Sequence, residues 1–242
     1  ITHRFARVAR IGRPDSRFFW PQPSLLNYQP QQKISDSQKD RAAVLINADK
    51  RSFVKGNLYW LRRAIASTDS RVTVFGHGQW RGLTWRAIGQ SLRELAIALL
   101  SGKQPDLVSG RYLFAKPKRF MGQADSKLAT MSKFKVAVVI ENSQEIMTEK
   151  LFDAFLAGCI PVYVGPDVGA YKIPRSLVVH SDPNLSSVKS GIDKALALDY
   201  DSWQLRVEKF LQSQHKAGPW LPIETSTLLT RWILDSSQAL RS

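Results

Sequence analysis

The chain has 242 residues, 43% hydrophobic and 23% charged, a balance that supports a packed core and excludes global disorder, collagen-like repeats and coiled coil. Its one cysteine, Cys159, excludes an internal disulfide framework and any cysteine-based zinc site. With 35 Lys and Arg against 20 Asp and Glu the formal charge is +15, so an anionic partner is expected: nucleic acid, a membrane surface or a phosphorylated substrate.

The opening segment sets Arg4, Arg7, Arg10 and Arg13 at every third position, with Phe5, Val8 and Ile11 beside them. It reads either as a basic amphipathic element facing an anionic membrane or a neighbouring domain, or as the frayed remainder of a truncated domain. Residues 18–39 are rich in Pro, Gln and Ser, and Pro21, Pro23 and Pro30 break any helix, so this stretch reads as a linker. After Asp40 the pattern changes. Residues 42–46 form a continuous apolar run, the mark of a strand covered on both faces. Leu58, Leu61, Arg62 and Ile65 then follow helical spacing, and residues 72–75 return to strand before Gly76. Strand, helix, strand at this spacing is a parallel βαβ unit. Leu92, Leu95, Ala96 and Leu99 predict a further amphipathic helix, stopped near Gly102.

The unit repeats downstream. Residues 136–140 predict a buried strand running into Glu141-Asn142-Ser143, then a helix over 148–157 with Leu151, Phe152, Phe155 and Leu156 on one face. Gly158 stands where a left-handed cap residue belongs. Residues 160–164 predict the next strand, ending at Gly165-Pro166, and 177–179 a further one. Helices are expected over 186–198, 202–214 and 225–234. The fold class is α/β, a doubly wound, Rossmann-like parallel sheet, whose ligands bind beyond the carboxyl ends of the strands.

That rule nominates residues 47–55, Gly76-His77-Gly78, Glu141-Asn142-Ser143 and Gly165-Pro166. Thr148-Glu149-Lys150 opens a helix, where free N–H groups favour an anion and the dipole disfavours a lysine. A lysine placed there points to an outside partner such as phosphate, the alternative being a solvated surface residue. His3, His77, His180 and His215 are scattered without metal spacing, and the chain has neither GxGxxG nor a Walker loop.

Residues 134–143, FKVAVVIENS, followed by 148–166, TEKLFDAFLAGCIPVYVGP, resemble the donor-binding motif of the α1,3/4-fucosyltransferases, glycosyltransferase family 10. That pattern is an apolar strand into E-N-S/T, T-E-K opening a helix, then A-G-x-[IV]-P-V and G-[PS]. Residues 72–78, VTVFGHG, resemble its V-x-x-[YF]-G-x-[CG] element, and the resemblance spans roughly 40–179. It implies an inverting enzyme of the GT-B fold that moves fucose from GDP-fucose to a hydroxyl of an acceptor glycan, needing no metal or other cofactor. Residues 40–242 would then be the nucleotide-sugar-binding, C-terminal lobe, and residues 1–39 a remnant of the N-terminal acceptor lobe with its linker. The resemblance gives Lys150 the GDP diphosphate and Glu149 the ribose hydroxyls, with Asn142 lining the nucleotide site and Glu141 supporting it. The family's arginine, in S-N-x-x-x-R-N-x-x-Y, finds its nearest counterpart at Lys55-Gly56-Asn57-Leu58-Tyr59, which makes Lys55 and Asn57 donor-binding candidates and Arg51 another source of the charge. Ile146 and Met147 stand where the family has a tyrosine. The general base is expected from the N-terminal lobe, and no residue is assigned to it.

Two other readings stand beside this one. An exostosin-like GT-B transferase with a UDP-sugar donor shares the Ala157-Gly158-Cys159-Ile160-Pro161-Val162 junction. A basic nucleic-acid-binding α/β module draws on the +15 charge and on Trp80 and Trp85 near Arg81 and Arg86, although nucleic acid is the less expected partner. The expected partners are a GDP-sugar donor, an acceptor glycan and, peripherally, an anionic membrane. The single cysteine leads to the expectation of a bacterial-type, cytoplasmic and membrane-associated enzyme, with a Golgi membrane as the alternative for a eukaryotic one.

Overall fold

In the computed structural model the described residues are 35–78, 80, 84–100 and 108–217. They contain six strands: β1 (Asp40–Ile46), β2 (Val72–Phe75), β3 (Arg119–Phe120), β4 (Phe134–Ile140), β5 (Ile160–Val164) and β6 (Val179–His180). All pairs are parallel, in the order β3-β2-β1-β4-β5-β6. The order reverses between β1 and β4, which places the topological switch point of a doubly wound sheet there. Every residue of β4 and β5 is buried, as a strand covered on both faces requires.

Seven α-helices are described: α1 (Tyr59–Thr68), α2 (Trp85–Leu100), α3 (Val108–Arg111), α4 (Lys127–Met131), α5 (Lys150–Leu156), α6 (Leu185–Ala197) and α7 (Tyr200–Ala217). On one face α1 and α6 pack against the sheet and each other; on the other lie α4 and α5. Phe152 and Phe155 of α5 meet Phe210 of α7 with ring centroids 6.1 and 6.0 Å apart, binding these helices into one aromatic cluster. Gly158 has φ +63° and ends α5, so its left-handed conformation turns the chain into β5.

Two expectations are corrected. The strand at 177–179 is instead a 3-10 turn, Arg175–Leu177, followed by β6, because the Leu177 N–H closes back on Pro174 O before pairing begins. Residues 35–39 are not a linker: Asp36–Gln38 form a 3-10 turn, and Lys39 is buried with Nζ donating to the Ser132, Phe134 and Gly158 carbonyls. Burial lowers the Lys39 pKa. Strand β3, absent from the sequence reading, adds an edge beside β2. The basic segment before residue 35 and the helix expected over 225–234 lie outside the described residues.

Candidate functional site

The site grows from the carboxyl end of β4. The strand's buried run continues into Glu141, which is wholly buried and so must find donors for its carboxylate. It finds three. Oε1 accepts from the Thr148 N–H at 2.9 Å, and Oε2 from Thr148 Oγ1 at 2.7 Å and from Lys150 Nζ at 3.3 Å. The Lys150 ammonium also donates to Thr148 Oγ1 at 2.6 Å. An internal carboxylate thus holds Lys150, a partner that neither sequence reading, an outside phosphate or a solvated surface, included. An ammonium has three donors, so two bonds leave one for a further acceptor. Lys150 is partly exposed and lines a crevice at the switch point with Ile46 and Asn47 of the β1 end, Val139 of β4, and Lys127 and Met131 of α4.

Glu149 is half-buried at the start of α5 and makes no side-chain hydrogen bond to cap it. Asn142 is half-buried, and its side chain is turned by Arg62 of α1. Arg62 Nη2 donates to Asn142 Oδ1 at 3.0 Å and to Ile140 O at 2.6 Å, while Nε reaches Ile140 O at 3.1 Å. The guanidinium stacks 4.8 Å from the Tyr59 ring centroid, and burial pushes its pKa down to about 10. Glu141 and Glu149 oppose that shift, so the acids of the site favour the charged arginine. Sequence reading took Arg62 only as a helical position. Its presence among Leu58, Leu61 and Ile65, on a face otherwise apolar, is the signal that marks it as a buried, partnered cation.

The segment after β1 meets this loop directly. Leu58 N–H donates to Asn142 O at 3.1 Å, and Asn57 bridges Ser143 in antiparallel fashion. Asn57 itself is buried, with Nδ2 on Val54 O at 2.8 Å and Oδ1 on the Tyr59 N–H at 3.1 Å, so its amide shapes the turn into α1. Lys55 is exposed, beside Gly56 at φ +85°. Arg51 turns to Asp49, at 3.5 Å, to Gln90 Oε1 and to Leu113 O, and Arg63 pairs with the same Asp49. Arg51 thus helps fix the loop, while its buried Nη2 makes no hydrogen bond. Trp80, named above for the nucleic-acid reading, is buried, with Nε1 on Asn47 O and Arg63 stacked 5.3 Å from its ring centroid.

Two glycines are dictated by close approach. A Cβ on Gly76 would lie 1.9 Å from Asn47 O, and one on Gly165 would lie 2.5 Å from Tyr163 Oη and 2.8 Å from Glu141 Cγ. Among the described residues no group of three His, Cys, Asp or Glu side chains could hold a metal ion.

No protein-family model matches the chain. The mouse α-(1,3)-fucosyltransferase 4 is 41% identical over 25% of this chain and 16% of its own length. The mouse 4-galactosyl-N-acetylglucosaminide 3-α-L-fucosyltransferase 9 is 35% identical over 32% of this chain and 24% of its own. The chain therefore spans less than a quarter of these curated relatives, whole proteins whose names state an α1,3-fucosyl transfer. A crystal structure of α1,3-fucosyltransferase with GDP aligns over 72% of this chain and 39% of its own, at 17% identity and a TM-score of 0.43. Over a quarter to a third of its length this chain is thus similar to α1,3-fucosyltransferases, in line with the resemblance to glycosyltransferase family 10.

Proposed function

We propose that this chain is the nucleotide-sugar-binding part of an inverting glycosyltransferase that moves fucose from GDP-fucose to a hydroxyl of an acceptor glycan. The observation that carries this is Lys150, held by the buried Glu141 carboxylate and Thr148 beyond the carboxyl end of β4, with one donor left over. In the transfer the acceptor oxygen bonds to the sugar's anomeric carbon, the bond to the diphosphate breaks, GDP leaves and the acceptor proton passes to a base. Charge builds on the departing diphosphate, and a cation already fixed in place stabilises it without reorganising. A charge pair at about 4 Å is worth about 4 kcal/mol at an effective dielectric near 20, or about a thousandfold in rate if realised only in the transition state. Lys150 takes that role here. Glu149, at the start of α5, takes the ribose hydroxyls, and Asn142 a polar group of the nucleotide. The proposal assigns no metal, and no described residue is assigned as the base.

The test is calorimetric titration of GDP and of UDP into the chain. GDP binding at least about tenfold tighter than UDP supports the assignment, a difference of about 1.4 kcal/mol. The reverse preference would favour the exostosin-like reading, and binding of arbitrary DNA that falls steeply with salt, without GDP binding, would favour a nucleic-acid module.

A further inference from the structure

Two lysines open neighbouring helices on one face of the sheet. Lys127 is the first residue of α4 and Lys150 the first of α5, and the two helices pack against each other. Both lysines line the crevice between the ends of β1 and β4, where Asn47 is the other polar residue and no carboxylate joins the lining. The acids that hold them lie outside it. Glu141, wholly buried, holds Lys150, and Asp153, 12% exposed at its side chain, holds Lys127 through Oδ2. The arrangement at Lys127 thus repeats that at Lys150: a shielded carboxylate anchors an ammonium that keeps donors to spare. Lys127 is the more open of the two, its side chain 36% exposed against 15%. Its one bond, to Asp153, leaves two donors of the ammonium for another acceptor. Burial pushes the Asp153 carboxyl above its ordinary pKa, and Lys127, Glu149 and Lys150 all act on its charge. Lys127 therefore belongs to one charge cluster with the residues given to the donor.

We propose that Lys127 is a second diphosphate-binding cation, acting with Lys150 on the phosphate oxygens of the nucleotide sugar. This rests on the donor reading above and adds a residue to it. The charge of Lys150 is already matched by Glu141, so that lysine alone leaves the negative charge of a diphosphate largely uncompensated. A cation from α4 meets that charge from a second helix. Two anchored ammoniums also fix how the diphosphate lies, whereas a single one leaves it free to turn. A plain tie between α4 and α5 would need the ion pair with Asp153 and nothing more. It gives no reason for Lys127 to share the crevice of Lys150.

The experiment is calorimetric titration of GDP and of guanosine into the whole chain and three variants. Lys127→Gln is expected to bind GDP about tenfold more weakly, with guanosine, which has no phosphate, unaffected. Lys127→Arg keeps the charge and is expected to stay within about threefold of the wild type. Asp153→Asn breaks the same ion pair but removes a negative charge beside the diphosphate. It is therefore expected to bind GDP as tightly as the wild type or more so. The two partners of one ion pair should thus diverge. Thermal unfolding checks that each variant folds. Folded Lys127→Gln with undiminished GDP affinity would overturn the proposal. So would Lys127→Gln and Asp153→Asn losing affinity together, the mark of a merely structural tie. A wild type that binds no GDP would instead sink the donor reading, and this proposal with it.

Discussion

Arg62 and Asn142, 80 residues apart in the chain, meet at the carboxyl end of β4, where the guanidinium holds the amide oxygen at 3.0 Å. A guanidinium has donors only, so Asn142 must turn Oδ1 toward it and present Nδ2 elsewhere. That leaves Nδ2 as the donor which the proposed role of Asn142 uses. Asn142→Asp would keep a partner for Arg62, as a carboxylate, while removing that donor. The expected outcome is unchanged or raised thermal stability with about tenfold weaker GDP binding, measured by thermal unfolding and calorimetry. Undiminished GDP affinity would contradict the role given to Asn142.

Arg62→Met removes the fork and leaves the Ile140 carbonyl and the Asn142 amide without their donor. The expected cost is about 2–3 kcal/mol by urea unfolding, the penalty of buried acceptors left unsatisfied. Arg62→Lys should recover only part of it, because an ammonium supplies a point charge and not two parallel donors.

Much of this architecture was legible in the chain. Strands β2 and β5 and the cap at Gly158 coincide with the sequence expectation, because short runs rich in β-branched and aromatic residues, each closed by a glycine, leave little choice. Strand β4 begins earlier than the apolar run because Lys135 is inside, paired to Asp36 at 3.2 Å, and a lysine in a strand masks its own burial. Strand β3 is two residues long, too short for any periodicity, and is fixed by neighbours such as Val74, whose carbonyl accepts from Met121 N–H. The Glu141-Asn142 and Thr148-Glu149-Lys150 groups are nominated by their position after β4. The pairing of Arg62 is not, since its acceptors lie 78 to 80 residues away, and the hold of Glu141 on Lys150, nine residues on, is set by the fold of the loop between them.

The two glycines Gly165 and Gly89 should respond in opposite directions. Gly165→Ala puts a methyl group 2.8 Å from Glu141 Cγ and 2.5 Å from Tyr163 Oη, so the carboxylate that holds Lys150 must move. A loss of about 1–3 kcal/mol is expected, with weakened GDP binding. Gly89→Ala meets nothing within 4 Å inside α2 and should gain about 0.5–1 kcal/mol. Chemical denaturation of both checks the pair.

The Asp69 carboxylate is held below its ordinary pKa, chiefly by hydrogen bonds from the Arg71 side chain, at 3.0 and 2.7 Å. Its folded pKa lies below the unfolded value of 3.8, so its stabilisation is fully present above that value and is lost as pH falls through the folded one. Asp69→Asn should thus cost about 1 kcal/mol at neutral pH, with Arg71 partly exposed and screened. The gap between variant and wild type should close in acid. A gap that stays constant with pH would contradict the ion pair as its source.

The most direct test of the donor site is titration of GDP into Lys150→Gln beside the wild type. The Glu141 carboxylate keeps its two Thr148 donors in that variant, so thermal unfolding can verify that the sheet persists. GDP affinity is expected to fall by about ten- to a hundredfold, the worth of one hydrogen bond to a charged group. A folded variant that binds GDP as tightly as the wild type would contradict the placing of a diphosphate at Lys150.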